Sequence, residues 1–467
     1  METRTYGTSV VRSRQASSNS PNVLFVSIDD CNDWLGFLNN HPGTHTPNLD
    51  ALARNSLVFS QAYTTAPMCL PSRTSVLFGS APHRGHVYDH SPESLETYAS
   101  MARSTSSLVD DVWAAGYETF GAGKVFHDGQ RERWTQFQPV VQYMPGRLRG
   151  ESTAAGRFDP AWISPYDGAP IGNGERFKLS MLDFGPSGVA PEDEPDGKTT
   201  QWVRQQLKES RRGPFFLALG HYLPHEPWRL PQRFFDLHPL EEVVVPEFRP
   251  DDLADVGVYA RDQIVDRFHR FELLQTSGLW EEAVQAYQAA ISFADDRLGI
   301  VLDELSHSQY AEDTMIVVWS DHGYHLGEKL HIEKFTLWER ATRVPLLIHV
   351  PGRFDHHRDF DRPVSLLDLG PTVAELCGAE LHAPHDGESL LPLLADPVHA
   401  DRRPAVMTWL SGNHAVRRGQ WRYIRYRTGD VELYDHQDDP DEYVNLAGRP
   451  DHAAIVAELD RFLPEQG

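Results

Sequence analysis

The sequence predicts an α/β fold: a large mixed, mostly parallel sheet sandwiched by helices, followed by a smaller C-terminal α+β subdomain. Three observations carry this. Five short apolar runs, residues 23–28, 117–122, 214–219, 314–319 and 345–350, have the length and composition of buried strands. Helical patterns separate them, and strands alternating with helices require the crossover connections of a parallel sheet covered on both faces. At 467 residues the chain also exceeds one ordinary core, which leaves room for a large domain and a small appendage.

Taken in order, residues 1–20 are rich in Ser, Thr and Arg without an apolar core, and are expected to be a disordered tail. They hold no signal-peptide core, and no segment is apolar enough to span a bilayer, so a cytoplasmic location is expected. Residues 21–395 form the expected catalytic domain. Within it, Thr46 is placed to cap a helix that Pro47 opens. The clearest helix carries Val284, Tyr287, Ile291, Ala294, Leu298, Val301 and Leu305 at spacings of three and four, a stripe expected to be core packing. Residues 130–195 and 228–280, rich in Pro, Gly and aromatics, read as long loops over the site. The aromatic residues Trp134, Tyr143, Trp162, Tyr166, Trp228 and Trp338 are expected on polar loops around the site. Residues 396–467 form the C-terminal subdomain, with a small antiparallel sheet that includes strands at 405–410 and 421–426.

A formal charge of −24 repels nucleic acid and anionic membranes, so neither is an expected partner. An anionic substrate would need a local cationic pocket. The three cysteines lack disulfide, knuckle or redox spacing. Cys31 and Cys377 read as small buried hydrophobes.

In parallel sheets ligands gather at the carboxyl ends of strands, and two runs end there in acids: Asp29-Asp30 and Asp321-His322. Adjacent carboxylates are costly unless a cation or hydrogen bonds neutralise them. The set supplies mostly hard oxygen donors, suited to one divalent cation, Ca²⁺ first and Mg²⁺ second, rather than to zinc.

The segment Cys69-Leu70-Pro71-Ser72-Arg73 resembles the signature of the type I, formylglycine-dependent sulfatases of the alkaline phosphatase superfamily. Residues 46–53, Ser320-Asp321-His322-Gly323, Leu433-Tyr434-Asp435 and Asp439-Pro440-Asp441-Glu442 are similar to family landmarks in family order. The iduronate-2-sulfatase-like branch is suggested by Gly123-Lys124-Val125-Phe126-His127, by His221-Tyr222-Leu223-Pro224-His225, and by Leu326-Gly327-Glu328 followed by Lys334. Leu70 and Cys31 depart from that branch's pattern.

The resemblance implies an alkaline-phosphatase-like fold and a sulfuric ester hydrolase. A formylglycine-generating enzyme would oxidise Cys69 to an aldehyde, whose hydrate offers two hydroxyls, one to attack sulfur and one to expel sulfate. It further implies Asp29, Asp30, Asp321, His322 and residue 69 as metal ligands, Arg73 steadying residue 69, and Lys124 and Lys334 on the sulfate oxygens. His225 would protonate the leaving alcohol and His127 would assist collapse of the sulfated hydrate. The implied substrate is a small sulfated compound, a sugar or short glycan by branch. Alternatives are a phosphonate or phosphate ester hydrolase of the same superfamily, a choline-sulfatase-like enzyme, and a non-catalytic binder of sulfated ligands.

Overall fold

The computed structural model describes residues 3–6, 9–13, 20–139, 182–263, 265, 270–353, 357–395 and 403–465. Its main sheet has eight strands, in the spatial order Arg358–Phe360, Leu57–Phe59, Leu346–His349, Thr314–Ser320, Asn22–Ile28, Phe215–His221, Glu118–Gly123 and Gln136–Gln138. Thr314–Ser320, Asn22–Ile28, Phe215–His221 and Glu118–Gly123 are neighbours and mutually parallel. Leu346–His349 runs antiparallel to both strands beside it, which makes the sheet mixed.

The apolar runs are continuous because both faces of the sheet are covered. Val23, Phe25, Phe216, Ala218, Met315 and Val317 enter one core, shared with the helices Cys69–Phe78, Leu108–Ala114 and Leu369–Cys377. The residues between them, Leu24, Val26, Leu217, Leu219, Ile316 and Val318, enter the other, under the helices Pro195–Lys208 and Trp280–Ser306. Each such side chain contributes roughly 1.5–3 kcal/mol of burial, so a one-residue slip of any strand would forfeit packing on both faces. The predicted stripe of Trp280–Ser306 is buried throughout.

Local capping differs from expectation at Thr46. Its side chain makes no cap hydrogen bond to the helix Pro47–Ala53. Instead Asp295, from the long helix, accepts from the backbone N–H of Asn48 at 3.2 Å and of Leu49 at 2.8 Å. A carboxylate from a packed neighbour thus satisfies the helix's first donors, while the Thr46 hydroxyl accepts from Gly36 N–H at 2.9 Å.

The expected disordered tail is corrected over residues 3–6 and 9–12, which form a hairpin. Thr3–Tyr6 and Ser9–Arg12 pair antiparallel. Tyr6 and Val11 pack with Trp113 and Ala114, and Arg4 donates to the Arg133 carbonyl at 2.7 Å. Two apolar residues and a cation, too sparse to register as a periodic run, suffice to dock it.

The expected loop regions also carry regular structure. Phe184–Pro186 pairs in parallel with Trp228–Leu230, and residues 228–280 include the helices Val258–Gln263 and Arg270–Ser277. Trp134, Trp228 and Trp338 are buried packing residues, not loop residues facing ligand. Tyr143, Trp162 and Tyr166 lie outside the described residues. Among the described residues no helix is long and apolar enough to cross a membrane.

The C-terminal antiparallel sheet comprises Ala405–Thr408, His414–Arg418, Trp421–Arg425 and Val431–Asp435, followed by the helix Ala453–Asp460. Its inner face packs on Leu337 and Trp338. Trp338 Nε1 donates to Glu432 Oε2 at 2.7 Å, and Phe335 stacks on Trp409 with ring centroids 5.1 Å apart. The subdomain therefore braces the segment that carries Lys334.

Candidate active site

Four neighbouring parallel strands end on one edge of the sheet, and each is followed by polar residues of the site: Asp29-Asp30, Asp321-His322, Lys124 and the turn to His225. The ligand atoms of Asp29, Asp30, Asp321 and His322 lie within 4.8 Å of one another, and all four residues are buried. The sheet register sets this, because Ile28 pairs with both Ser320 and His221. The Asp30 N–H then donates to Asp321 Oδ1 at 3.1 Å.

These residues fit a cation. His322 Nδ1 lies 3.0 Å from the Gly323 carbonyl, which can only accept, so Nδ1 carries the proton. The lone pair of Nε2 is then 3.3 Å from Asp30 Oδ1 and 3.8 Å from Asp321 Oδ2. Converging lone pairs repel unless a positive charge lies between them. The local field agrees: burial alone would lower the His322 pKa, yet Asp321 and Asp30 raise it.

Arg73 ties this cluster together. It is 1% exposed. Its Nε donates to Asp321 Oδ2 at 2.7 Å and its Nη2 to Asp29 Oδ1 at 3.2 Å. Nη1 reaches the carbonyl of Lys124, and that of Val125 at 3.0 Å. One guanidinium fork thus spans three strand ends, a geometry lysine cannot supply. Ser72 Oγ donates to the Asp321 carbonyl at 2.5 Å, beside the Thr64 hydroxyl 2.9 Å away.

Lys124 pairs with Asp29, and Lys334 Nζ sits 2.7 and 2.9 Å from the two oxygens of Asp30. Burial pushes both carboxyls of the Asp29–Asp321 pair upward. Lys124 and Arg73 overcome it at Asp29 and hold that group well below the usual range. At Asp321 burial prevails over Arg73, aided by the charge of Asp29, and the group is raised. Position 69 opens the helix Cys69–Phe78 and is buried. Burial disfavours a thiolate there, but Lys124 and Lys334 pull the pKa well below the ordinary value. The pocket at residue 69 is therefore built for negative charge.

His127 and His225 are half-buried. Nδ1 of His225 bonds the Glu226 carbonyl at 2.7 Å, which leaves Nε2 as its chemically available nitrogen. Burial lowers the His225 pKa, against the pull of Asp30. His221, by contrast, lies fully buried at the strand end, lowered to about 3 by burial and by Arg297.

Residues 21–379 match the family described as Sulfatase, and residues 327–466 match N-sulphoglucosamine sulphohydrolase, C-terminal. The chain belongs to the sulfatase family. It is 33% identical to a sulfatase of Formosa agariphila over 97% of this chain and 88% of that protein. It is 31% identical to a choline-sulfatase of Rhizobium meliloti over 96% of this chain and 86% of that one. It is 29% identical to human iduronate 2-sulfatase, over 78% and 70% of the two chains. The fold matches that of a phosphonate monoester hydrolase from Silicibacter pomeroyi with a TM-score of 0.74 at 22% identity, covering 94% of each chain.

The sulfatase fold brings Asp29, Asp30, Arg73, Lys124, Asp321, His322 and Lys334 into one network, with Cys69, His127 and His225 beside it. Cys69 Sγ stands beside His90 and His127, and it also interacts with His322 of the four-residue cluster. Two contributors were missed by sequence reasoning. His90 Nε2 is 3.7 Å from Cys69 Sγ, and no motif pointed to it. Tyr287, assigned to core packing, donates its hydroxyl to the Asp30 carbonyl at 2.7 Å and accepts from Asn32 N–H at 2.9 Å. A polar tip on an otherwise apolar stripe was the available signal.

Proposed function

We propose that this sulfuric ester hydrolase of the sulfatase family cleaves the sulfate monoester of a sulfated sugar or short glycan, with formylglycine at position 69 and Ca²⁺, or secondarily Mg²⁺, held by Asp29, Asp30, Asp321 and His322. The observation that supports this most is the charge balance of the pocket. Three carboxylates, Asp29, Asp30 and Asp321, face three cations, Arg73, Lys124 and Lys334. Adding a divalent cation leaves the pocket positive, so it can capture one tetrahedral oxyanion within a chain of charge −24.

The cation would act as a Lewis acid toward the sulfate oxygens. The hydrated aldehyde would supply the attacking hydroxyl and the one that later expels sulfate. Lys124 and Lys334 hold sulfate oxygens in place, and Arg73 fixes the acids around residue 69. His225, with Nδ1 on a carbonyl, presents Nε2 to protonate the departing alcohol, and His127 takes the proton when sulfate is expelled.

A sugar is favoured by the 29% identity to an iduronate sulfatase and by the polar lining of lysines and histidines. Choline sulfate is the second reading, favoured by the 31% identity to a choline-sulfatase. Against it, Trp134, Trp228 and Trp338 are core residues and cannot form an aromatic cage.

The test uses protein coexpressed with a formylglycine-generating enzyme. Peptide mass spectrometry should find the aldehyde at position 69, and turnover of sulfated monosaccharides should exceed that of choline sulfate and of matched phosphonate and phosphate esters. Full activity with an unmodified thiol would refute the mechanism. Preference for a phosphonate would assign the chain to the other hydrolase class.

A further inference from the structure

We propose that the thiol form of this chain carries a second metal site, in which Cys69, His90 and His127 hold one borderline-soft divalent cation such as Zn²⁺. The inference concerns only the unoxidised side chain, so it stands whether or not position 69 is later converted.

The ligand atoms of these three residues lie within 4.8 Å of one another, and Sγ is 3.7 Å from His90 Nε2. Tetrahedral zinc, with Zn–S of about 2.3 Å and Zn–N of about 2.0 Å, places sulfur and nitrogen about 3.5 Å apart. The imidazoles of His90 and His127 lie side by side, with ring centroids 4.7 Å apart. The donor set is one sulfur and two nitrogens, whereas the neighbouring cluster offers three carboxylates and one imidazole. The first suits zinc or cobalt and the second suits calcium or magnesium, so the two positions divide cations by hardness.

Access follows from the burial gradient. Cys69 is buried, His127 half-buried and His90 exposed, so a cation arrives from the solvent side and keeps a fourth position for water. Sulfur binds as the thiolate and the two histidines as neutral donors, and any proton they carry passes to solvent. The bound ion caps the sulfur against alkylation. His90 has no assigned part in sulfate ester cleavage, and here it is a ligand.

Protein made without a formylglycine-generating enzyme, saturated with Ca²⁺, would be titrated with Co²⁺ as a spectroscopic substitute for Zn²⁺. The expected result is a thiolate-to-cobalt charge-transfer band that saturates at one equivalent and is displaced by Zn²⁺. In His90→Ala and His90→Gln the band should vanish or need at least about tenfold more Co²⁺, since even the loss of a group supporting a ligand costs about that much. Ca²⁺ binding should be unchanged in both, which reports intact folding. Zn²⁺ should slow iodoacetamide labelling of Cys69 in the parent chain and not in the variants. Absence of the band would overturn the proposal. So would a band of equal affinity in both His90 variants, which would show that Cys69 takes the cobalt without His90.

Discussion

The site has two halves that are made differently. Its floor, Asp29, Asp30, Asp321, His322 and Arg73, lies on or against strand ends and is at most 1% exposed. Its rim, His90, His127, His225 and Lys334, sits on connecting segments, and Lys334 is held in place by a separate sheet through Phe335, Trp338 and Trp409. Floor residues are positioned by the hydrogen-bond register of four parallel strands, which also organises the core. Moving one of them means moving the sheet. Rim residues can be repositioned by changes in loops or in the C-terminal subdomain without touching the core. Under the proposed function the cation and Lys124 belong to the rigid half, while Lys334 and the choice of leaving group belong to the adaptable half.

The largest expected effect tests the floor. Arg73→Ala leaves the buried carboxylates of Asp29 and Asp321 without their shared partner, which should cost about 3–5 kcal/mol of stability and eliminate turnover. Arg73→Lys should recover little, because three strand ends need the fork. Urea unfolding and activity measured on the same samples decide this, and a lysine variant with parent stability would remove Arg73 from its organising role.

Next comes the rim. His225→Ala should slow hydrolysis of an unactivated sugar sulfate by about 10²–10⁴-fold and an activated aryl sulfate far less, with cation content unchanged. Equal losses on both substrates, or loss of the cation, would show that the halves are not separable here.

A smaller effect is expected behind the floor. Tyr287→Phe removes the hydroxyl that bridges the backbone of Asp30 and Asn32, and should weaken cation binding about 10–100-fold while the leaving-group dependence stays as in the parent. Isothermal calorimetry with Ca²⁺ reads this directly. A change in leaving-group dependence instead would place Tyr287 with the rim.

The smallest is a pH effect within the floor. Burial raises Asp321, so in the cation-free protein it keeps its proton to higher pH than a free carboxyl. A ligand carboxylate must be ionised. Below that raised pKa the cation has to displace a proton, and its affinity should fall by up to about tenfold per pH unit. As pH rises through that pKa, and through that of His322, which Asp321 and Asp30 raise against burial and whose Nε2 must also be free to bind, this dependence disappears. Asp29, held low by Lys124 and Arg73 against burial, is already ionised and adds none. Calorimetry in two buffers of different ionisation enthalpy should detect proton release on the acidic side only. Release that does not vary with pH would contradict the assignment.

How much of this was legible varies by element. The strands and the stripe of the long helix were readable because burial on both sheet faces and on one helix face imposes a periodic or continuous apolar pattern. The acids at 29–30 and 321 were readable because a parallel sheet sends strand ends to one edge. The N-terminal hairpin was not, since Tyr6, Val11 and Arg4 leave no run to detect. Trp134, Trp228 and Trp338 misled because large aromatic side chains serve cores and ligand sites alike, and only packing separates the two.

The sequence by itself therefore determined the fold class, the signature around Cys69 and the types of donor available, since these depend on local pattern and on chemistry carried by each side chain. Tertiary structure alone decided which groups meet. It placed Asp295 on the helix at 47, Tyr287 under Asp30 and His90 against Cys69, over sequence separations of 247, 257 and 21 residues. Such contacts are set by how strands register and helices pack, and no spacing within one segment encodes them.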